Sequence, residues 1–405
     1  MSEQTEALEP PTSSKAPKPR WRRWLRNASL AVGLPVFGFG GVVLADGWRA
    51  IGKMADGARL ERMEASKQWV DGRFDNPQPI VNHNAEMFGD FFAKGDQATP
   101  AEPIETITPD AKVLAQAPES GLRVTWLGHS TTLIEVDGKR VLTDPIWGDK
   151  PMPVTWLGPS RWYPPPLAFE DLPALDAVVI SHDHYDHLDE PTITVMRDMK
   201  IRFIVPLGVG AHLEYWGVPA EQIDEVEWGD EVDLGEGVKV VATPARHASG
   251  RQILDQNKTL WAGYAVIGPE HRVFFSGDTG LFPAMKTIGE QLGPFDITMI
   301  EVGPYGSGWP DWHIGPEQAI RAHGWLRGEL FLPIHWGMWD LATHNWTAPI
   351  ERATKAAAEA GVQIATPRPG GTIEPAKGIT NEHWWPDVPY RGPDVYPIVS
   401  GNVDD

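Results

Sequence analysis

The stretch SHDHYDHLD, Ser181–Asp189, packs three histidines and three aspartates into nine residues. It follows DAVVI, Asp176–Ile180, an almost continuous apolar run of the kind shown by a strand buried on both faces. A loop at the C-terminal end of such a strand lets alternate side chains converge on one point. His182 and His184, two residues apart, can point one way and chelate one ion, while Asp186 and His187 can reach a second. Asp189 then stands as the N-cap of a helix beginning near Pro191. Taken alone, these nine residues could also be a solvated polar loop or a tract with casual metal affinity.

The rest of the chain tips that balance. His247 follows the strand-like VKVVATP, Asp278 follows RVFFSG and His335 follows ELFLPI. Each therefore sits where open α/β sheets assemble their sites, just past the end of an apolar strand. With His182, His184, Asp186 and His187 they make seven nitrogen and oxygen donors. Four suffice for one tetrahedral zinc, so seven suit a dinuclear centre. There is no cysteine, which excludes disulfides, thiolate zinc sites and cysteine nucleophiles together. A His/Asp donor set accepts zinc, manganese or iron. No Walker A loop, strand-linked GxGxxG or GxSxG elbow competes for the function.

Composition places the site in a folded protein: 41% of the 405 residues are hydrophobic and 22% charged. From Gly121 onward, short apolar strands alternate with Gly- and Pro-rich turns, among them LRVTWLG, TTLIEV, KRVLTD, IRFIVP, AGYAVIG and DITMIEVG. Helical stretches lie at Pro191–Met199, Pro316–Leu326 and Ile350–Ala360. Strands first as a meander, then alternating with helices, predict two sheets packed face to face with helices outside. The domain reading is a disordered basic start (1–27), an apolar segment (28–45) and an extension with linker (46–115). The catalytic domain (116–375) and a Pro/Trp-rich acidic tail (376–405) follow.

The net charge of −20 argues against nucleic acid, since phosphate binding rests on Lys and Arg. The charge is uneven, with +3 on residues 1–45 and −23 on the remainder. Ala28–Ala45 is eighteen residues without a charge, borderline for a bilayer span. Its basic flank, Arg20–Arg26, puts the start in the cytoplasm and the rest outside. RRWLR also reads as a twin-arginine export signal and VLADG as a cleavage site. The expectation is a membrane-anchored or exported protein with its catalytic domain on the periplasmic side. A peripheral segment at the cytoplasmic face is the alternative.

H-x-H-x-D-H followed by single His, Asp and His residues resembles the metallo-β-lactamase-fold hydrolases. Within them, the chain is similar to the phospholipases D that hydrolyse N-acylphosphatidylethanolamine. The stretches that carry this are TWLGHSTTLIEVDGKRVLTDPIW, LGPSRW, LPALDAVVISHDHYDHLD, FIVPLG, FSGDTG, GPFDITMIEVGPY, HIGPEQAIRAH and IHWG, from about Gly121 to about Gly371. The resemblance implies an αββα sandwich and two divalent ions, zinc above all. It places His182, His184 and His247 on one ion, Asp186, His187 and His335 on the other, and Asp278 between them. Asp144 in LTDP would orient ligands from behind, as against a plain turn aspartate before Pro145.

Asp186 and His313 would serve the chemistry, His313 beside the substrate phosphate. Two ions sharing a carboxylate would activate a water for attack on the phosphodiester, giving phosphatidic acid and an N-acylethanolamine. The aromatic loops Trp156–Phe169 and Pro304–Trp312 could form an apolar mouth, with Trp162, Trp309 and Trp312 as candidate substrate contacts. They could equally pack on one another. The expected partners are a phospholipid and a membrane surface. A lactonase or small-ester hydrolase on the same site is the first alternative. An envelope binding protein that holds metal without turnover is the second.

Overall fold

Ala177–Val179, the strand that leads into the histidine-rich loop, buries all three of its side chains, and its neighbours show why. The computed structural model describes residues 47–81, 97–252, 254–379, 381–398, 400 and 401. The chain divides into residues 1–48, of which only 47 and 48 are described, and residues 49–405, which hold everything that follows. The expected apolar segment 28–45 lies outside the described residues. Among the described residues, no helix is long and apolar enough to cross a membrane.

The extension contributes helix α1 (Gly57–Glu64), a hairpin of β1 (Trp69–Val70) and β2 (Arg73–Phe74), and the single turn α2 (Ala111–Leu114). The first large sheet then forms from β3 (Leu122–Gly128), β4 (Thr131–Val136), β5 (Lys139–Thr143), β6 (Ala177–Val179), β7 (Arg202–Pro206) and β8 (Ile223–Val226). Helices α3 (Glu190–Met196) and α4 (Gly210–Tyr215) lie between its later strands. The second sheet takes β9 (Glu231–Gly235), β10 (Val238–Thr243), β11 (Gly263–Ile267), β12 (Arg272–Phe275), β13 (Phe295–Glu301), β14 (Gly328–Ile334) and β15 (Gln363–Ile364). Helices α5 (Ala284–Gln291), α6 (Pro316–Trp325) and α7 (Ala348–Ala360) separate its parallel strands, and β16 (Thr372–Ile373) returns to the edge of the first sheet.

Each sheet has seven strands, in the orders β16-β3-β4-β5-β6-β7-β8 and β15-β14-β13-β12-β11-β10-β9. Side chains alternate across a strand, so β6 has two jobs. Ala177 and Val179 enter the apolar layer shared with the second sheet, beside Val124, Ile134, Phe275 and Ile297. Val178 and Ile180 point the other way, onto Ile193 and Met196 of α3 and Leu213 of α4. Burying each valine or isoleucine among them is worth roughly 1.5–3 kcal/mol, so a one-residue slip would forfeit both faces. Helix α6 covers β13 and β14 and brings Ala319, Ile320 and Ala322 into the first of these clusters. This is the metallo-β-lactamase fold, two mixed sheets with helices.

Strand direction decides where the site can be. β5, β6 and β7 run parallel, and two antiparallel steps through β4 bring β3 into the same sense. In the other sheet β12, β13 and β14 run parallel, and two antiparallel steps through β11 bring β10 round as well. The strands that precede the candidate donors therefore end at one edge of each sheet. Those edges are stitched together: His335 N–H donates to His129 O at 3.0 Å, and Ala262 N–H to Ser181 O at 2.9 Å.

Candidate metal centre

The loop after β6 is held open by an aspartate from the end of β5. Asp144 Oδ1 accepts the Ser181 N–H at 2.7 Å, and Oδ2 accepts the Ser181 hydroxyl at 2.6 Å and His187 Nδ1 at 2.6 Å. Because the Ser181 hydroxyl donates to Asp144, it accepts from His182 Nδ1, 2.9 Å away. His247 Nδ1 lies 2.9 Å from Trp312 O, and His335 Nδ1 is bonded to Gly303 O. Four imidazoles thus spend Nδ1 on an acceptor behind them, which leaves Nε2 of each as the lone pair facing inward.

Those inward atoms gather in two groups. His182 Nε2 lies 2.9 Å from His184 Nδ1, which lies 3.3 Å from His247 Nε2. In the second group His187 Nε2 and His335 Nε2 are 2.9 Å apart, each 3.5 Å from Asp186 Oδ2. Asp278 stands between the groups. Its Oδ2 is 3.1 Å from His187 Nε2, 3.7 Å from His247 Nε2 and 3.8 Å from His182 Nε2, while Oδ1 is 3.0 Å from His335 Nε2. All seven donors expected from the sequence are brought together here, and Asp144 lies directly behind them.

The donor set fits divalent cations. Ligands about 2.1 Å from a tetrahedral ion stand about 3.4 Å from one another, and the inward nitrogens here lie 2.9–3.3 Å apart, so a small outward shift would seat an ion. Lone pairs fixed by partners behind them repel when nothing positive lies between. Asp278 Oδ1, wholly buried, makes no well-aligned hydrogen bond although His335 Nε2 lies 3.0 Å away, a shortfall that a cation between them would satisfy. The electrostatics of the cluster bear on the same point. Burial opposes the charge on Asp278 and Asp186, yet the surrounding histidines hold both well below the usual carboxylate range. Burial and neighbouring histidines keep His182 well below its ordinary value. Burial also opposes a charge on His335, but Asp278 and Asp186 overcome it and raise the ring to about 10. The second group thus attracts a positive charge, while burial keeps the rings of the first neutral and able to coordinate.

His313 stands at the rim. Its Nδ1 is 2.8 Å from Glu301 Oε2 and 3.8 Å from Asp278 Oδ2, and its side chain keeps 14% of its surface exposed. Asp186 keeps 18% of its side chain exposed. The aromatic candidates are more dispersed. Trp162 packs edge-on against Trp346 and lines a small cavity with His129 and His335. Trp309 donates its indole N–H to Pro304 O, and Trp312 offers its main-chain oxygen to His247. Sequence reasoning gave no site role to two residues that belong here. His129, at the end of β3, puts Nε2 3.2 Å from Asp186 Oδ2; burial and His335 lower its pKa to about 3. Glu301, the last residue of β13, receives His313 and the Thr279 N–H. Both follow the strand-end rule that found the other donors.

Comparison with known proteins agrees with this geometry. Residues 139–336 match the family described as a beta-lactamase superfamily domain. An uncharacterised protein of Mycobacterium tuberculosis is 42% identical over 342 residues, covering 82% of this chain and 91% of that protein. The N-acyl-phosphatidylethanolamine-hydrolyzing phospholipase D 1 of Caenorhabditis elegans is 39% identical over 239 residues, covering 56% and 67%. A metal-dependent hydrolase of Pyrobaculum aerophilum is 26% identical over 253 residues, covering 62% and 100%.

Proposed function

The chain belongs to the β-lactamase superfamily, as a metal-dependent hydrolase, and from that premise we propose a dinuclear phosphodiesterase of the phospholipase D type. Its substrate on this reading is N-acylphosphatidylethanolamine, taken from a membrane surface. The observation that carries the dinuclear part is Asp278, whose carboxylate lies within reach of both donor groups. What supports the substrate is the worm relative and the position of His313.

His182, His184 and His247 would hold one ion, Asp186, His187 and His335 the other, with Asp278 shared; zinc suits the set. When bound, the pair would supply water activation near neutral pH and charge stabilisation on the phosphoryl oxygens. The chain's own residues do the rest. Asp144 fixes His187 directly and His182 through Ser181, so both rings keep one tautomer. Glu301 engages His313 Nδ1, which leaves Nε2 to deliver a proton to the departing alkoxide. Asp186 and His313 are partly exposed, and a diester would reach the ions beside them. Water oxygen joins phosphorus, the phosphorus–oxygen bond to the ethanolamine breaks, and that oxygen leaves with the proton.

The test is the bond that is cut. N-acylphosphatidylethanolamine incubated in ¹⁸O-water should give unlabelled N-acylethanolamine and phosphatidic acid carrying the label. A lactone turned over far faster than any phosphodiester would leave the fold and metal site standing and remove the phospholipase assignment.

A further inference from the structure

The extension before the sheets does more than lead into them. Asn76 Nδ2 donates to His247 O at 2.7 Å, and Asn76 Oδ1 accepts the His247 N–H at 2.9 Å. A single side-chain amide therefore satisfies both main-chain groups of a candidate ligand. His247 lies beyond the end of β10, in a segment without helix or strand, where no ladder can serve those groups. Asn76 is itself anchored. Phe74, two residues earlier, is fully buried with Met63, Leu207, Ala245, Leu260 and Trp261, and its N–H donates to Asn257 O at 2.8 Å.

A second grip falls on the loop that feeds both donor groups. Arg251 Nη1 donates to Asp183 O at 2.6 Å and to Leu188 O at 2.9 Å, spanning the loop that carries His184, Asp186 and His187. Its Nε and Nη2 hold Ala50 O at 2.9 and 2.7 Å. Trp216 adds its indole N–H to Arg49 O at 2.7 Å. Residues 49–76 thus touch the backbone of His247 through Asn76, and the ligand loop through Arg251. All of them lie outside the stretch 139–336 that matches the superfamily domain.

We infer that the extension is a working part of the metal centre, with Asn76 as a positioning residue that sets His247 against His182 and His184. The inference rests on reading the cluster as a metal centre. It makes a selective demand: His247 belongs to one donor group only, so loss of Asn76 should weaken one ion and spare the other. Removing partners that orient ligands typically costs about 10- to 100-fold in metal affinity.

The experiment is a zinc titration of full-length apoprotein, wild type beside Asn76→Ala, with cobalt absorption spectra of both and melting curves with and without zinc. The expected result is two ions in the wild type. The variant should bind one ion normally and the other about 10- to 100-fold more weakly, with an altered cobalt spectrum and a smaller zinc-induced rise in Tm. A variant that binds both ions as the wild type does overturns the inference. So does one whose Tm falls equally with and without zinc, since that is a packing role alone. Should Asn76→Ala fail to fold, Asn76→Asp decides by the same titration, because it keeps the acceptor for the His247 N–H and loses the donor. A wild type that binds no divalent ion would instead remove the metal reading on which all this stands.

Discussion

Asp278 carries more of the centre than any other residue, because both of its oxygens face imidazoles and one of them has no other partner. Asp278→Ala should therefore cost more than one ion's worth of metal or nearly all activity, read by elemental analysis of purified protein beside a hydrolysis assay. A wild-type stoichiometry at or below one, with an active Asp278→Ala enzyme, would end the dinuclear reading. His313 makes the opposite prediction. It touches Glu301 and only approaches Asp278, so His313→Ala should leave metal content intact and lower kcat by on the order of 10²–10⁴, the usual worth of one general acid. A fall in metal content alongside kcat would make it a ligand instead. At this scale the donors were legible because each is a His or Asp one to a few residues past an apolar run. His129 and Glu301 obey the same rule. Asn76 and Arg251 were not legible, since their role is to bind main-chain atoms far away in sequence, and composition says nothing of that.

Elements bring these residues within reach because several strands end together and their loops are pinned. Asp189 is one such pin. It caps α3 by accepting the Thr192 N–H at 3.2 Å, and the same Oδ2 accepts the Gly148 N–H at 3.1 Å from the loop after β5. Asp189→Ala should lower stability by about 1–2 kcal/mol, more than a solvent-exposed cap, because two amides lose their acceptor. Asp189→Asn keeps an acceptor oxygen and should recover much of this; chemical denaturation compares the two, and equal losses would refute the capping account. The cap was readable from sequence, as were β3 and β4 to the residue, because alternation and turn residues bound them closely. The helix expected over Pro191–Met199 ends at Met196, and that expected from Ile350 begins at Ala348. β15 and β16, two residues each, are too short to show a period, and they exist because neighbouring strands offer them an edge. Acidic residues interrupt β8 and β9 in the same way.

The whole molecule couples the site to a large apolar interior, and that interior holds histidines with no metal role. His323, on α6, is buried with Nδ1 2.7 Å from the Thr298 hydroxyl, and burial lowers its pKa to about 4. His344, stacked on Tyr305, is lowered to about 4 by burial as well, although Asn345 O works against the shift. An unfolded histidine titrates near 6.5. Between pH 6.5 and 4 the unfolded chain therefore binds protons that these folded positions refuse, and stability rises with pH across that window. Their contribution is fully present above about 6.5 and is lost as the pH falls toward 4, at most about 3 kcal/mol for each. Ligand histidines shed metal over part of the same range, so the wild-type curve alone does not separate the two causes. His323→Gln does, because α6 sits behind the second sheet and the substitution removes one titrating group without touching a donor. Denaturant melts at pH 7.5, 6 and 5 should show a shallower fall in stability for the variant, with metal content matching wild type at each pH. A slope identical to wild type would mean that His323 already accepts its proton in the folded state, leaving His344 and the metal centre as the sources of acid sensitivity.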